Sequence, residues 1–224
     1  MDTDIPLTLR ARLTPGLLVI IAGASIFAAL ASQLGEGQAM RHADQAIADA
    51  LRTGVPPAVH DVFAALTHLA DTATLTALCV AVSLVLGARR HWALAGGWVF
   101  AVAGNGLLNT MLKGIFDRDR PLPADGAALV AGFSFPSGHS SGAVVAYGML
   151  AYLVLRLLAP RWHLPALAAA GVLAGVVGLS RLVLGVHFAS DVIAGFASGT
   201  AWLALCVMGI ELTRRGGSSS SLRS

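Results

Sequence analysis

Long apolar stretches alternate with short polar connections along the chain. A membrane-spanning helix needs roughly 20 mainly apolar residues, and six stretches satisfy this requirement. They cover residues 15–34, 66–86, 92–112, 138–158, 164–181 and 188–209. The pattern therefore predicts an all-α integral membrane protein with six transmembrane helices, in which residues 1–224 form a single membrane domain.

Two segments outside these stretches are more polar. Between the first two spans, residues from Gln45 to Arg52 have helical spacing, and Pro56-Pro57 interrupts it. This segment is either a short helix lying at the outer surface or an ordinary connecting helix. At the other end of the chain, two glycines and four serines predict a flexible tail over residues 214–224.

The basic residues predict the orientation of the spans. Nine of the 15 Lys and Arg residues lie in connections on one side of the predicted bundle. These nine are Arg10, Arg12, Arg89, Arg90, Arg156, Arg161, Arg214, Arg215 and Arg223. The positive-inside rule makes that side cytoplasmic, so both termini are expected in the cytoplasm.

The first span has a second interpretation. Two arginines, an apolar stretch and Ala29-Leu30-Ala31 together resemble a signal peptide with a small-residue cleavage site. The stretch from Leu17 to Leu34 is longer than a usual signal core, which favours an uncleaved span. Cleavage would leave the orientation of the other five spans unchanged.

Composition supports a membrane protein and excludes several other classes. The chain is 56% hydrophobic and 12% charged, with a mean hydropathy of +0.73, whereas soluble domains are about one quarter charged. The net charge of +3 does not indicate nucleic-acid binding, because the basic residues form no continuous patch with interleaved aromatic residues. Cys79 and Cys206 lie within apolar stretches and form neither a disulfide framework nor a metal-ligand spacing.

Three short polar blocks stand near the ends of the apolar stretches. In chain order they are Lys113 with Arg120-Pro121, then Pro136-Ser137-Gly138-His139, then Ser180-Arg181 with His187 and Asp191. Ionisable side chains beside a bilayer are costly, so such residues indicate function. In the predicted orientation all three blocks face outward.

The cations and the helix start of these blocks suit a phosphate group. Phosphoryl transfer requires charge neutralisation around the phosphoryl oxygens, an in-line nucleophile and a proton for the leaving group. Lys113, Arg120 and Arg181 supply three positive charges, which can replace the metal ions that many phosphatases use. Ser137 can cap the helix that begins at Gly138, and the free N–H groups of a helix start bind anions.

The two histidines supply the remaining chemistry. His139, in the first turn of its helix, is placed to protonate a leaving alkoxide. His187 and Asp191 are four residues apart and share one helix face, so Asp191 can accept the Nδ1 proton and leave Nε2 free to attack phosphorus. The alternative for this pair is a purely structural contact between spans five and six. Arg118, which belongs to no block, is interpreted as an interfacial cation that extends to the lipid headgroups.

The three blocks match KxxxxxxRP, PSGH and SRxxxxxHxxxD at every defining position, and so resemble the type-2 phosphatidic acid phosphatase (PAP2) superfamily over about residues 105–195. The resemblance implies a PAP2/haloperoxidase-like helical core at about residues 92–210. It also implies metal-independent dephosphorylation of membrane lipid phosphates or diphosphates, without a cofactor, at the outer face of the bacterial inner membrane. Related bacterial enzymes act on undecaprenyl diphosphate, phosphatidylglycerol phosphate, phosphatidic acid or lipid A phosphates, and the motifs do not separate these substrates.

The resemblance also suggests residue roles. His187 resembles the histidine that is transiently phosphorylated, Asp191 the carboxylate that orients it, and His139 the general acid that later activates water. The residues that resemble the phosphate-binding residues of the family are Lys113, Arg120, Ser137, Gly138 and Arg181. The resemblance implies no metal ligand. The expected partners are a lipid-phosphate substrate and the bilayer, and nucleic acid is not expected.

Three other functions fit parts of the pattern. A lipid phosphotransferase would use the same phosphohistidine and pass the group to a lipid hydroxyl. Vanadium haloperoxidases share the motifs but are soluble, so the six spans argue against them. A non-catalytic transporter of lipid phosphates would leave the His187–Asp191 spacing unexplained.

Overall fold

The computed structural model describes residues 7–121 and 132–220, and this part of the chain contains helices and no strands. Its α-helices are α1 (Leu7–Glu36), α2 (Gln38–Gly54), α3 (Pro57–Thr67), α4 (Thr72–Ala88), α5 (Trp92–Phe116), α6 (Gly138–Leu157), α7 (His163–Val183) and α8 (Ala189–Ser220). Helices α1, α5, α6, α7 and α8 each contain a segment long and apolar enough to cross a membrane. Helices α3 and α4 form a sixth candidate, bent by 41°. The described part of the chain is thus all-helical, and its long apolar helices indicate a multi-pass membrane protein.

The prediction of one continuous helix over residues 66–86 was wrong. Helix α3 ends at Thr67 and α4 begins only at Thr72. The break has a local cause, because Asp71 has an extended backbone and its carboxylate accepts a hydrogen bond of 2.7 Å from the amide of Thr74. An aspartate in this position caps the start of a new helix.

The polar segment after the first span forms two helices. The predicted helical stretch from Gln45 to Arg52 lies inside α2, and Pro57 is the first residue of α3, where proline is well tolerated. Helix α2 packs against α7 and α8, and α3 packs against α7. The segment is therefore a packed part of the fold on the same side as the three polar blocks.

Helix α8 is longer than the predicted sixth span. It continues past residue 209 to Ser220, so residues 214–220 of the predicted flexible tail are helical. Extending an existing helix avoids the cost of nucleation, and no proline interrupts this stretch. Residues 221–224 of the predicted tail lie outside the described residues.

The centre of the bundle lies where α6 packs against α5, α7 and α8. Trp98, Met149 and Ile210 belong to the core shared by α5, α6 and α8. Small residues allow membrane helices to approach closely. A Cβ atom added at Gly195 would lie only 2.6 Å from the carbonyl oxygen of Ser137. This close approach brings the start of α8 beside the start of α6.

Candidate active site

The three polar blocks converge on one cavity of about 540 Å³. Six of the eight predicted site residues line it: Lys113, Arg120, Gly138, His139, Arg181 and His187. The other two, Ser137 and Asp191, are fully buried beside it. Away from these polar groups, the cavity continues between α4 and α5 along apolar side chains.

His187 lies in the turn between α7 and α8 and is 3% exposed. Its Nε2 atom is 3.2 Å from Nη1 of Arg120. A guanidinium group only donates hydrogen bonds, so Nε2 must present its lone pair and Nδ1 must carry the proton of the neutral ring. Burial lowers the pKa of His187 to about 4, against the opposing effect of the Asp191 carboxylate. The lowered pKa favours the neutral ring at pH 7, in which the Nε2 lone pair is directed at Arg120.

Asp191 contacts the other ring nitrogen of His187. The distance from Nδ1 to Oδ2 of Asp191 is 3.5 Å, which is longer than a good hydrogen bond, and Nδ1 has no other partner within the described residues. The same Oδ2 atom accepts a 2.8 Å hydrogen bond from the amide of Phe188, as a carboxylate does in a capping box at a helix start. The spacing of four residues thus brings His187 and Asp191 together, but in a loose contact.

Arg118 is largely buried in ion pairs, and its interpretation as an interfacial cation was wrong. Its side chain is 13% exposed, with Nη1 2.6 Å from Oδ1 of Asp191 and Nη2 2.8 Å from Oδ2 of Asp44. Asp44 shares a face of α2 with the partly buried Met40 and Leu51, at spacings of four and seven residues. An acidic residue on an otherwise apolar helix face is the sequence signal that indicates a buried basic partner.

Two of the cations are held by main-chain oxygens. Arg120 donates to the carbonyl oxygens of Gly132 at 2.9 Å and Val186 at 2.8 Å, and Lys113 donates to the carbonyl oxygen of Phe133. Burial lowers the pKa of Arg120, and the carboxylate of Asp191 opposes this effect. These contacts fix both cations at the cavity without placing a carboxylate directly on either charge.

Arg181 is positioned by a residue that the sequence did not suggest. It is 6% exposed, and its Nη1 atom donates a 2.6 Å hydrogen bond to the hydroxyl of Thr67 at the end of α3. Its Nε atom is buried and has no hydrogen-bond partner in the described part of the chain. A buried unpaired N–H group is costly, and in a cavity lined by cations it is suited to an anionic oxygen.

The second block forms the start of α6. Gly138 and His139 line the cavity, and His139 is only partly buried. The hydroxyl of Ser137 accepts a 3.3 Å hydrogen bond from the amide of Ser140, which forms the predicted cap. Ser137 therefore contributes to this end of the site as a capping residue, while Gly138 and His139 face the cavity.

Comparison with known proteins agrees with this geometry. A family model described as the PAP2 superfamily matches residues 94–214. The chain is 38% identical over 177 residues to phosphatidylglycerophosphatase B of Bacillus subtilis, covering 72% of this chain and 80% of that protein. It is 32% identical over 177 residues to lipid A 1-phosphatase of Rhizobium etli, covering 67% of this chain and 70% of that protein.

A solved structure shows the same fold. The transmembrane PAP2-type phosphatidylglycerolphosphate phosphatase of Bacillus subtilis has a TM-score of 0.76 and 33% sequence identity, with coverage of 85% of this chain and 96% of that chain. The family model and these relatives lead to one conclusion. The chain belongs to the PAP2 superfamily and is a lipid phosphatase.

Proposed function

We propose that this enzyme removes phosphate from a membrane lipid monophosphate or diphosphate through a phosphohistidine at His187, without a metal ion, at the outer face of the bacterial inner membrane. One observation carries the proposal. The buried ring of His187 lines a cavity together with three fixed cations, Lys113, Arg120 and Arg181, and its Nε2 atom is 3.2 Å from Nη1 of Arg120.

In the first step, Nε2 of His187 attacks phosphorus, and the bond from phosphorus to the lipid oxygen breaks. His139 donates a proton to that oxygen, so a lipid monophosphate leaves as an alcohol and a lipid diphosphate leaves as a monophosphate. The imidazole ring gains positive charge as Nε2 bonds to phosphorus. The Asp191 carboxylate, 3.5 Å from Nδ1, stabilises this charge, as in catalytic triads.

In the second step, water attacks the phosphoryl group and the bond from phosphorus to Nε2 breaks. His139, which has lost its proton, accepts one from the water, so a single side chain acts as acid and then as base. Inorganic phosphate leaves, and His187 returns to its neutral form. The three cations hold the phosphoryl oxygens through both steps, which is the role that metal ions have in many phosphoryl transfers.

The shape of the cavity supports a lipid substrate. Its apolar part lies between α4 and α5, where Val80 is 55% and Leu107 is 64% exposed on the surface of the bundle. A lipid chain can therefore lie between these helices while its phosphate reaches the cations. The names of the relatives make phosphatidylglycerol phosphate and lipid A 1-phosphate the first substrates to test, together with undecaprenyl diphosphate and phosphatidic acid.

Release of inorganic phosphate by the purified protein in detergent with EDTA tests the chemistry. The wild type is expected to release phosphate from at least one of the four lipids, and His187→Ala is expected to release none above background. His42→Ala, at an exposed position on α2, is the matched control and is expected to behave as the wild type. Protein-bound phosphate is measured after rapid quenching, and phosphate that is labile in acid but stable in base identifies a phosphohistidine.

Three outcomes of this experiment would contradict the proposal. Equal release by wild type and His187→Ala would exclude His187 as the nucleophile. Activity that disappears in EDTA and returns with a divalent ion would exclude metal-independent chemistry. Phosphate that appears on an acceptor lipid instead of in solution would identify a phosphotransferase.

The side of the membrane is tested by cysteine labelling. Thr53 on α2 and Arg90 between α4 and α5 are both exposed, and they lie at opposite ends of the bundle. With a membrane-impermeant maleimide added to intact cells, Thr53→Cys is expected to be labelled and Arg90→Cys is not. The reverse labelling would place the site in the cytoplasm.

A further inference from the structure

Helix α2 lies outside the residues that match the family model, yet it supplies a buried carboxylate to the site. Asp44 is 3% exposed. Its Oδ1 atom accepts a 2.9 Å hydrogen bond from the amide of Ser190 at the start of α8. Its Oδ2 atom accepts hydrogen bonds from the hydroxyl of Ser190 and, at 2.8 Å, from Nη2 of Arg118. A buried carboxylate is costly unless it is paired and hydrogen-bonded, and Asp44 is both.

Arg118 joins this carboxylate to that of Asp191. Nη2 contacts Asp44, while Nη1 contacts Asp191 at 2.6 Å and the Ser190 hydroxyl at 2.7 Å. The planar fork of a guanidinium group can hold two carboxylates in fixed positions, whereas a lysine ammonium group provides a single point charge. One side chain thus connects α2 to α8 directly behind His187.

We propose that Asp44 and Arg118 form a positioning pair for the reaction at His187. Arg118 fixes the rotation of the Asp191 carboxylate and balances its charge, and Asp44 holds Arg118 in place. Neither residue touches the cavity, so both act through Asp191. Helix α2 is then a part of the catalytic apparatus as well as a packed surface element.

The charges around His187 give a physical reason for the positioning role of Asp44 and Arg118. The ring is near the carboxylate of Asp191, the cations Arg120 and Arg181, and the ring of His139. The anionic charge of Asp191 favours the protonated ring, and a protonated ring has no lone pair for attack. Arg118 offsets part of this anionic charge from the far side of the carboxylate. It thereby adds to the effect of burial in favouring the neutral ring before attack, while Asp191 still stabilises the phosphorylated ring.

The inference rests on the proposed role of His187, and a set of substitutions tests it. Arg118→Gln removes the charge, Arg118→Lys keeps the charge without the fork, and Asp44→Asn removes the ion pair while keeping the side-chain shape. The matched control is Asp49→Asn with Arg52→Gln. It removes an exposed ion pair of 3.0 Å from the same helix. The measurements are kcat per folded protein at saturating lipid and the pH of the acidic midpoint of kcat.

The variants are expected to separate charge from geometry. Arg118→Gln should lower kcat by about 10-fold to 100-fold and raise the acidic midpoint by about one pH unit, because Asp191 is no longer balanced. Arg118→Lys should lower kcat with the midpoint within about 0.3 of the wild-type value. Asp44→Asn should lower kcat without raising the midpoint, and the control pair should change neither quantity.

Other results would overturn the inference. An unchanged kcat in Asp44→Asn would show that α2 only packs against the site. Equal upward shifts in Arg118→Gln and Arg118→Lys would exclude charge balance as the cause. If Arg118→Gln does not yield folded protein, the other two variants decide. These failures differ from failure of the proposed function, in which His187→Ala itself would still release phosphate.

Discussion

The amide nitrogen of Ser137 donates a 3.0 Å hydrogen bond to the carbonyl oxygen of Asp191. This bond joins the start of α6, which carries the proposed general acid, to the start of α8, which carries the carboxylate beside the proposed nucleophile. Because it runs between main-chain atoms, it depends on how closely the two helices approach. The first two predictions examine the side chain and the helix contact at this position.

Removing the Ser137 hydroxyl should affect stability more than catalysis. Ser137→Ala loses the helix cap but keeps the main-chain bond to Asp191, so we expect a loss of about 1 kcal/mol in unfolding free energy. We expect kcat to fall by less than about tenfold. Thermal unfolding in detergent and the phosphate-release assay measure the two effects. A loss of kcat above about 100-fold at unchanged stability would mean that the hydroxyl binds the phosphate directly.

Adding a methyl group at Gly195 should separate α6 from α8. The new Cβ atom would lie 2.6 Å from the Ser137 carbonyl oxygen and 2.9 Å from the Cβ atom of Ser140, so one of the helices must shift. We expect Gly195→Ala to cost about 1–3 kcal/mol and to lower kcat.

Gly209→Ala is the matched control for this prediction. Gly209 lies on the same helix, and a Cβ atom there would meet nothing within 4 Å. We expect this variant to unfold at the wild-type temperature or slightly above it, because alanine favours a helix more than glycine does. Equal unfolding temperatures for the two variants would show that α6 and α8 have room for a methyl group at position 195.

The pH profile should reflect the buried position of His187. Its pKa is lowered from 6.5 to about 4, so the ring is neutral above about pH 4 and protonated, and thus unable to attack, below it. Because kcat/KM reports the groups of the free enzyme, we expect kcat/KM to keep its full value down to about pH 5 and to reach half of it near pH 4. On the alkaline side, the role proposed for His139 requires that the anionic phosphate of the bound lipid keeps this ring protonated. We therefore expect kcat at saturating lipid to fall when that proton is lost.

Both kcat/KM and kcat are measured from pH 3.5 to 9 at constant ionic strength, with gel filtration at each end to confirm that the protein remains folded. An acidic midpoint near 6.5, the ordinary value for histidine, would show that His187 is hydrated in the working enzyme. A profile that stays flat from pH 5 to 9 would contradict the assigned role of His139.

A large side chain placed between α4 and α5 should raise KM more for long-chain than for short-chain lipid phosphates. Gly106 lines the cavity, and a Cβ atom there would meet nothing within 4 Å, so Gly106→Phe is expected to place its ring in the apolar part of the cavity. We expect KM to rise for a long-chain lipid phosphate and to change much less for a short-chain analogue. Gly96→Phe, at an open position on the same helix but outside the cavity, should change neither value. A similar rise in KM for both chain lengths would argue against a chain between these helices.

Local features of the fold could be predicted from the sequence, and long-range ones could not. The start of α6 at Gly138 and its cap at Ser137 follow from neighbouring residues. The break before α4 also has a local signal in Asp71, but the continuous apolar character of residues 66–86 hides it. The extension of α8 to Ser220 was missed because glycine and serine favour flexible chain in isolation and do not end a helix that has already formed.

The sequence alone predicts the apolar stretches, because bilayer thickness sets their length. It also indicates candidate site residues, because charged side chains beside a bilayer are costly, and six of these candidates line one cavity. Only the tertiary structure decided how those residues are held. Arg118 meets Asp191 across 73 positions and Asp44 across 74, and neither spacing has a local pattern. Such contacts arise from helix packing, which places distant side chains together according to the shapes of whole helices.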